Sequence, residues 1–66
     1  MININSQFIR LPQVKELTTL SKSSIYRLIS DGDFPQQIAI GARSVVWRRH
    51  EVEAWCNQKV AAALIS

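Results

Sequence analysis

Sixty-six residues, 47% of them hydrophobic and 20% charged, leave room for one small folded domain and for no deep substrate cleft. A single cysteine excludes an internal disulfide, one Cys with one His excludes an ordinary structural zinc site, and no stretch approaches the ~18 apolar residues of a membrane span. The formal charge of +3 is uneven: residues 1–30 hold Arg10, Lys15, Lys22 and Arg27 against Glu16 alone, whereas residues 31–66 carry four charges of each sign, so a cationic surface able to attract phosphates is expected toward the first half.

Residues 1–8 alternate Ile2, Asn3, Ile4 and Asn5, a period of two that fits a short strand or an extended arm. Phe8, Ile9 and Leu11 are expected to tether it to the core. No cationic region followed by an apolar one leads the chain, so an unexported protein is expected. Pro12 suits the first turn of a helix, where its missing N–H costs nothing, and Val14 with Leu17 repeats at i, i+3 to face inward. A first helix is therefore predicted over 12–18, with Thr19 and Leu20 as the turn.

Ser21 is a good N-cap, and a second helix starts there. Ile25, Leu28 and Ile29 fall on one side of it, Ser23, Arg27 and Ser30 on the other, and Tyr26 on the flank. Gly32 supplies the left-handed residue that ends a helix, and Pro35 forces Phe34 to be extended. The stretch from about 12 to 31 thus reads as a helix-turn-helix whose second helix presents polar and cationic groups outward, a pattern that points to DNA.

Ile38 and Ile40 alternate with Gln37 and Ala39, and Gly41-Ala42-Arg43 precedes Ser44-Val45-Val46-Trp47; two short strands around a compact turn predict a wing over about 36–47. From Arg48 to about Leu64, the residues Val52, Trp55, Cys56, Val60, Ala63 and Leu64 keep helical spacing, with Glu51 and Glu53 near the positive end of the dipole. The expected fold class is α+β and mainly helical: a small winged helix-turn-helix, residues 1–66 forming one DNA-binding domain.

Arg10-Leu11-Pro12, Leu17-Thr18, Leu20 to Arg27, Gly32, Phe34-Pro35, Ile40-Gly41, Arg43, Trp47 and Glu51 to Trp55 together resemble the AlpA family of small prophage regulators, related to excisionases and to the MerR-like winged helix-turn-helix. The resemblance implies that the second helix enters the major groove and the hairpin reaches the backbone or minor groove of duplex DNA. It implies a cytoplasmic, nucleoid-associated bacterial regulator: an activator of an integrase or other phage genes, or alternatively an excisionase-type directionality factor. Thr19 stands where the family commonly has Gly, and a β-branched residue tolerates a left-handed turn poorly. His50 stands where Ser is common, which weakens the expected cap of the third helix.

The expected DNA-contacting residues are Ser21, Lys22, Ser23, Ser24, Tyr26, Arg27, Arg43, Arg48 and Arg49. A guanidinium at Arg27 can bond guanine O6 and N7; its alternative partner is Asp31 at i+4. Ser21 to Ser24 bring hydroxyls, free N–H groups and an ammonium to a helix start, where phosphates bind, although Ser21 can serve as a cap alone. Tyr26 can reach phosphate or lie half-buried on the hairpin. Arg43 at the wing tip can meet a groove or fold back over Trp47. Arg48 and Arg49 near a helix start are placed unfavourably for the dipole, which an anion would relieve. Trp47 and Trp55 are expected in the core and Cys56 beside it as an inert thiol. Val60 to Ile65, apolar on more than one face, either packs back or contacts protein, so self-association or contact with a recombinase or the transcription machinery stays open. No catalytic set, cofactor loop or metal cluster is recognisable, and no enzyme, cofactor or small-molecule substrate is expected. A protein-binding module that sequesters a regulator is the reading from a different class.

Overall fold

A computed structural model describes residues 7–65, and the expected Ile2/Ile4 alternation lies outside them. The elements in chain order are β1 (Phe8–Ile9), α1 (Leu11–Thr18), α2 (Lys22–Ser30), β2 (Ile38–Gly41), β3 (Ser44–Arg48) and α3 (Arg49–Ile65). The architecture is the expected small winged helix-turn-helix: three helices and a three-stranded antiparallel sheet in the order β1-β3-β2.

Phe8 and Ile9 form a true strand, with Phe8 opposite Arg48 and Ile9 opposite Trp47. Two residues are too few for a period to show in the sequence; what fixes the strand is Ile9, only 1% exposed and anchored in the core. The chain turns at once into α1, where the Arg10 backbone N–H donates to Gln13 Oε1 at 2.8 Å and Pro12 occupies the first turn. Val14 is fully buried, but Leu17, expected inward beside it, is 39% exposed.

Thr19 closes α1 in the left-handed region, at φ 61° and ψ 12°. The turn is the one glycine would adopt, made by a β-branched residue. Its local bonds are complete: the Thr19 N–H donates to Lys15 O at 2.7 Å, the Thr18 hydroxyl donates to Val14 O at 2.8 Å, and the Leu20 N–H donates to the Thr18 hydroxyl at 3.2 Å. Thr18 thereby serves the helix that ends and the turn that begins.

At the far end of α2, the Gly32 N–H bonds Ile29 O at 3.1 Å and the Asp33 N–H bonds Leu28 O at 2.8 Å, with Gly32 at φ 78°. This paired closure is a Schellman motif, and it stops the helix where the sequence predicts. In the hairpin, Ile38 faces Val46, Ala39 faces Val45 and Gly41 faces Ser44, so Ile40 is the extra residue of a bulge. Ala42 and Arg43 make the turn with negative φ, and the bulge beside them accommodates the twist that such a two-residue turn fits poorly.

The core is the cluster Ile9, Val14, Ile25, Ile29, Phe34, Trp47 and Val52, with Leu11, Leu20, Tyr26, Leu28, Val45, Trp55 and Cys56 packed against it. Phe34 is its unanticipated member. Helix α3 begins at Arg49; Arg48, expected at its start, is instead the last residue of β3, because the ladder with Phe8 claims its backbone. The helix also departs from the expected apolar stripe. Val52 is fully buried, whereas Val60 is 58% and Leu64 81% exposed, since the core ends about two turns into the helix.

Candidate nucleic-acid interface

The start of α2 is organised by its cap. The Ser21 hydroxyl accepts from the Ser24 N–H at 3.2 Å and donates to the Ser24 hydroxyl at 3.1 Å, with Ser21 extended at φ −76° and ψ 162°. Both side chains are thus engaged within the helix end. Between them Lys22 and Ser23 stand exposed, and so does Arg27 one turn further on.

Burial of Ile25 and Ile29 sets this orientation: with those two side chains in the core, Ser23, Arg27 and Ser30 must point away from it. Among the described residues Arg27 forms no ion pair, with Asp31 or with any other carboxylate. Its guanidinium is left to solvent or to a ligand.

Tyr26 joins helix to hairpin. It is half-buried, its ring meeting Trp47 edge-on with centroids 6.2 Å apart and planes at 63°. This ring contact ties α2 to β3, whose wider packing is against α1 and α3. Arg43 is exposed in the hairpin turn. Trp47 is completely buried, so Arg43 does not fold over it; the cation over a tryptophan is Lys59, 5.4 Å from the Trp55 ring.

Arg48 and Arg49 are separated from this group by their elements. Arg48 ends β3 and is exposed, while Arg49 opens α3 and is half-buried; with Gln7, Phe8, His50 and Glu53 they line a cavity of about 520 Å³. His50 lies inside the first turn of α3 rather than at a cap. The Glu53 carboxylate in the same cavity gives it mixed charge.

Trp55 has a role the sequence did not disclose. Its Nε1–H donates to Asp33 O at 2.6 Å, and its ring meets Phe34 edge-on at 4.9 Å. The segment after α2 is therefore fastened to α3, which holds the C-terminal end of the exposed helix. The sequence signal for this arrangement was the place of Trp55 in the helical apolar spacing of α3; its partners Asp33 and Phe34, some twenty residues earlier, carried none. Cys56 Sγ–H donates to Leu17 O at 3.7 Å, and burial, followed by the neighbouring Glu53 charge, pushes its thiol above the ordinary value.

Among the described residues, no group of three His, Cys, Asp or Glu side chains can hold a metal, and no helix is long and apolar enough to cross a membrane. The fold, with a capped, cation-bearing second helix set beside a hairpin, defines a small winged helix-turn-helix protein. Residues 7–60 match the family described as the prophage CP4-57 regulatory protein (AlpA), and the chain belongs to that family.

The chain is similar to protein ORF88 of Enterobacteria phage P4, which is uncharacterized: 44% identity over 55 residues, covering 83% of this chain and 62% of that protein. It thus spans less than two thirds of that relative. It is also similar to the DNA-binding transcriptional activator AlpA of Escherichia coli K12, at 29% identity over 59 residues, covering 80% of this chain and 84% of the other. No solved structure matches.

Proposed function

We propose that this chain is a sequence-specific duplex-DNA-binding prophage regulator, residues 1–66 forming a single DNA-binding domain that acts without catalysis. In this reading α2 enters the major groove, Arg27 and Ser23 meet base edges or phosphates, Lys22 meets phosphate, and the Arg43 turn touches the neighbouring backbone or minor groove. Ser21 and Ser24 hold the helix start in shape, and the free N–H groups of Lys22 and Ser23 between them face an approaching phosphate. Tyr26 positions helix against wing. Arg48 and Arg49 add cationic charge at a distance from the reading head.

The observation that carries this reading is the exposed Arg27, unpaired on the outward face of a helix whose opposite face is fixed in the core. The name of the Escherichia coli relative, a DNA-binding transcriptional activator, supports activation as the direction of regulation, and we propose an integrase or other phage genes as the targets. Excisionase-type bending of DNA during recombination uses the same surface.

Mobility-shift and footprinting assays on DNA flanking the gene for this protein and the nearest integrase gene test the proposal. Arg27→Ala is expected to weaken the specific complex by about 1–3 kcal/mol, roughly 5- to 150-fold, at unchanged stability. If no fragment shifts above nonspecific background, or the folded variant binds as tightly as the wild type, reading by α2 is wrong.

A further inference from the structure

Backbone packing does not fix α2 closely. The closely packed pairs of elements are β2 with β3, β1 with β3, α1 with α3, and β3 with both α1 and α3. Helix α2 is held instead through side chains, Ile25 and Ile29 in the core and Tyr26 on Trp47, and through its two ends. Its nine residues are too few to hold a helix by themselves, so each fixture matters.

The C-terminal fixture is a relay of hydrogen bonds that starts in α3. The Trp55 Nε1–H donates to Asp33 O at 2.6 Å, and the Asp33 N–H donates to Leu28 O at 2.8 Å. One residue outside the helix thus takes a bond from α3 with its carbonyl and gives one to the last turn of α2 with its amide. The indole is itself held, by the Phe34 ring edge-on at 4.9 Å and by the Lys59 ammonium 5.4 Å from its centroid. Phe34 is 5% exposed, so the clamp is rooted in the core.

That same last turn carries Arg27, whose carbonyl accepts from the Asp31 N–H at 3.0 Å. A shift of Asp33 is therefore passed to the turn from which the exposed guanidinium departs. A guanidinium that bonds two atoms of one base tolerates little displacement, whereas an ammonium such as that of Lys22 meets phosphate as a point charge with no fixed direction.

We infer that Trp55 is a positioning residue for DNA reading: its indole N–H, acting through Asp33, fixes the last turn of α2 and so the direction in which Arg27 leaves it. The inference rests on the proposed reading by α2. A fixture can bias the placement of Arg27 by no more than its own net strength, so the effect is that of one hydrogen bond, about three- to tenfold.

Trp55→Phe in the full chain isolates that bond, since it keeps a ring against Phe34 and removes the donor. The Asp33 carbonyl lies at the surface and is rehydrated, so Tm should move little. Without DNA, hydrogen exchange of the Asp31, Gly32 and Asp33 amides is expected to quicken about three- to tenfold while the β3 amides are unchanged. With DNA, the variant is expected to weaken the specific complex by a similar factor, and by less than about twofold when Arg27 is already alanine. Exchange that is unchanged at the three amides, or quickened alike throughout the molecule, overturns the inference. So does a Trp55→Phe variant that binds as tightly as the wild type, or one that loses as much affinity without Arg27 as with it. A wild type that shifts no DNA fragment overturns the reading by α2 instead, and the exchange pattern then decides by itself whether Trp55 pins the helix end.

Discussion

Thr19 holds the least favourable backbone conformation among the described non-glycine residues, the only one with positive φ. The left-handed region costs an L-residue about 1–2 kcal/mol, and glycine, which escapes that cost, gives part of it back through a freer unfolded chain. Thr19→Gly is therefore expected to stabilise by about 0.5–1 kcal/mol, read as a Tm several degrees higher in thermal unfolding. Cys56 supplies a pH dependence. Its folded thiol holds the proton more tightly than the unfolded one, so its contribution is complete below the ordinary value of 9.0 and is lost as pH rises through and above it. Denaturation midpoints of the wild type should fall more steeply on the alkaline side than those of Cys56→Ser, and the two should run parallel at neutral pH. At this scale the sequence was informative about Thr19, whose residue type conflicts with its place in a turn. It was silent on Phe34, because one aromatic between Asp and Pro carries no periodicity that could assign it to the core.

The end of α2 is fixed by Gly32, and its φ of 78° is the reason. A Cβ there meets nothing within 4 Å, so Gly32→Ala introduces backbone strain without a clash. A loss of about 1 kcal/mol is expected in urea unfolding, together with weakened DNA binding, because the strain falls on the closure that positions the exposed helix. Start and stop signals made both helices of the pair legible to within a residue: Ser21 caps and Gly32 closes, both through local bonds. Helix α3 was legible in extent but not in burial. Val60 and Leu64 keep the right spacing, and spacing alone does not say how far along a helix the core reaches. Arg48 was misplaced for a related reason, since its strand is set by Phe8, forty residues away in the chain, and no local pattern reports that pairing.

For the molecule as a whole, few cations face the proposed DNA. Lys22, Arg27 and Arg43 are the exposed cations of α2 and the hairpin turn, so log affinity should fall with log salt at a slope of roughly −3 per bound copy. A salt titration of the specific complex checks this; a slope near zero would transfer the exposed face to a protein partner. Arg27→Ala and Arg43→Ala should each make the slope shallower by about 0.9. The element order and the outward face of α2 were readable from polarity and spacing, and they sufficed to propose the interface. The edge contact of Tyr26 with Trp47, which ties α2 to β3, depends on tertiary packing and was one of two readings open beforehand.

The pairing of Phe8–Ile9 with Trp47–Arg48 also bears on the order in which the molecule assembles. Both proposed contact elements, α2 and the β2–β3 turn, lie inside the loop that this short ladder closes. The turn between β2 and β3 brings neighbours together at little entropic cost, whereas joining β1 to β3 must overcome the closure of a segment some forty residues long. Helices and hairpin can therefore form locally before they are mutually fixed. Phe8 and Ile9 thus close, with two residues of β3, the whole segment that carries both elements.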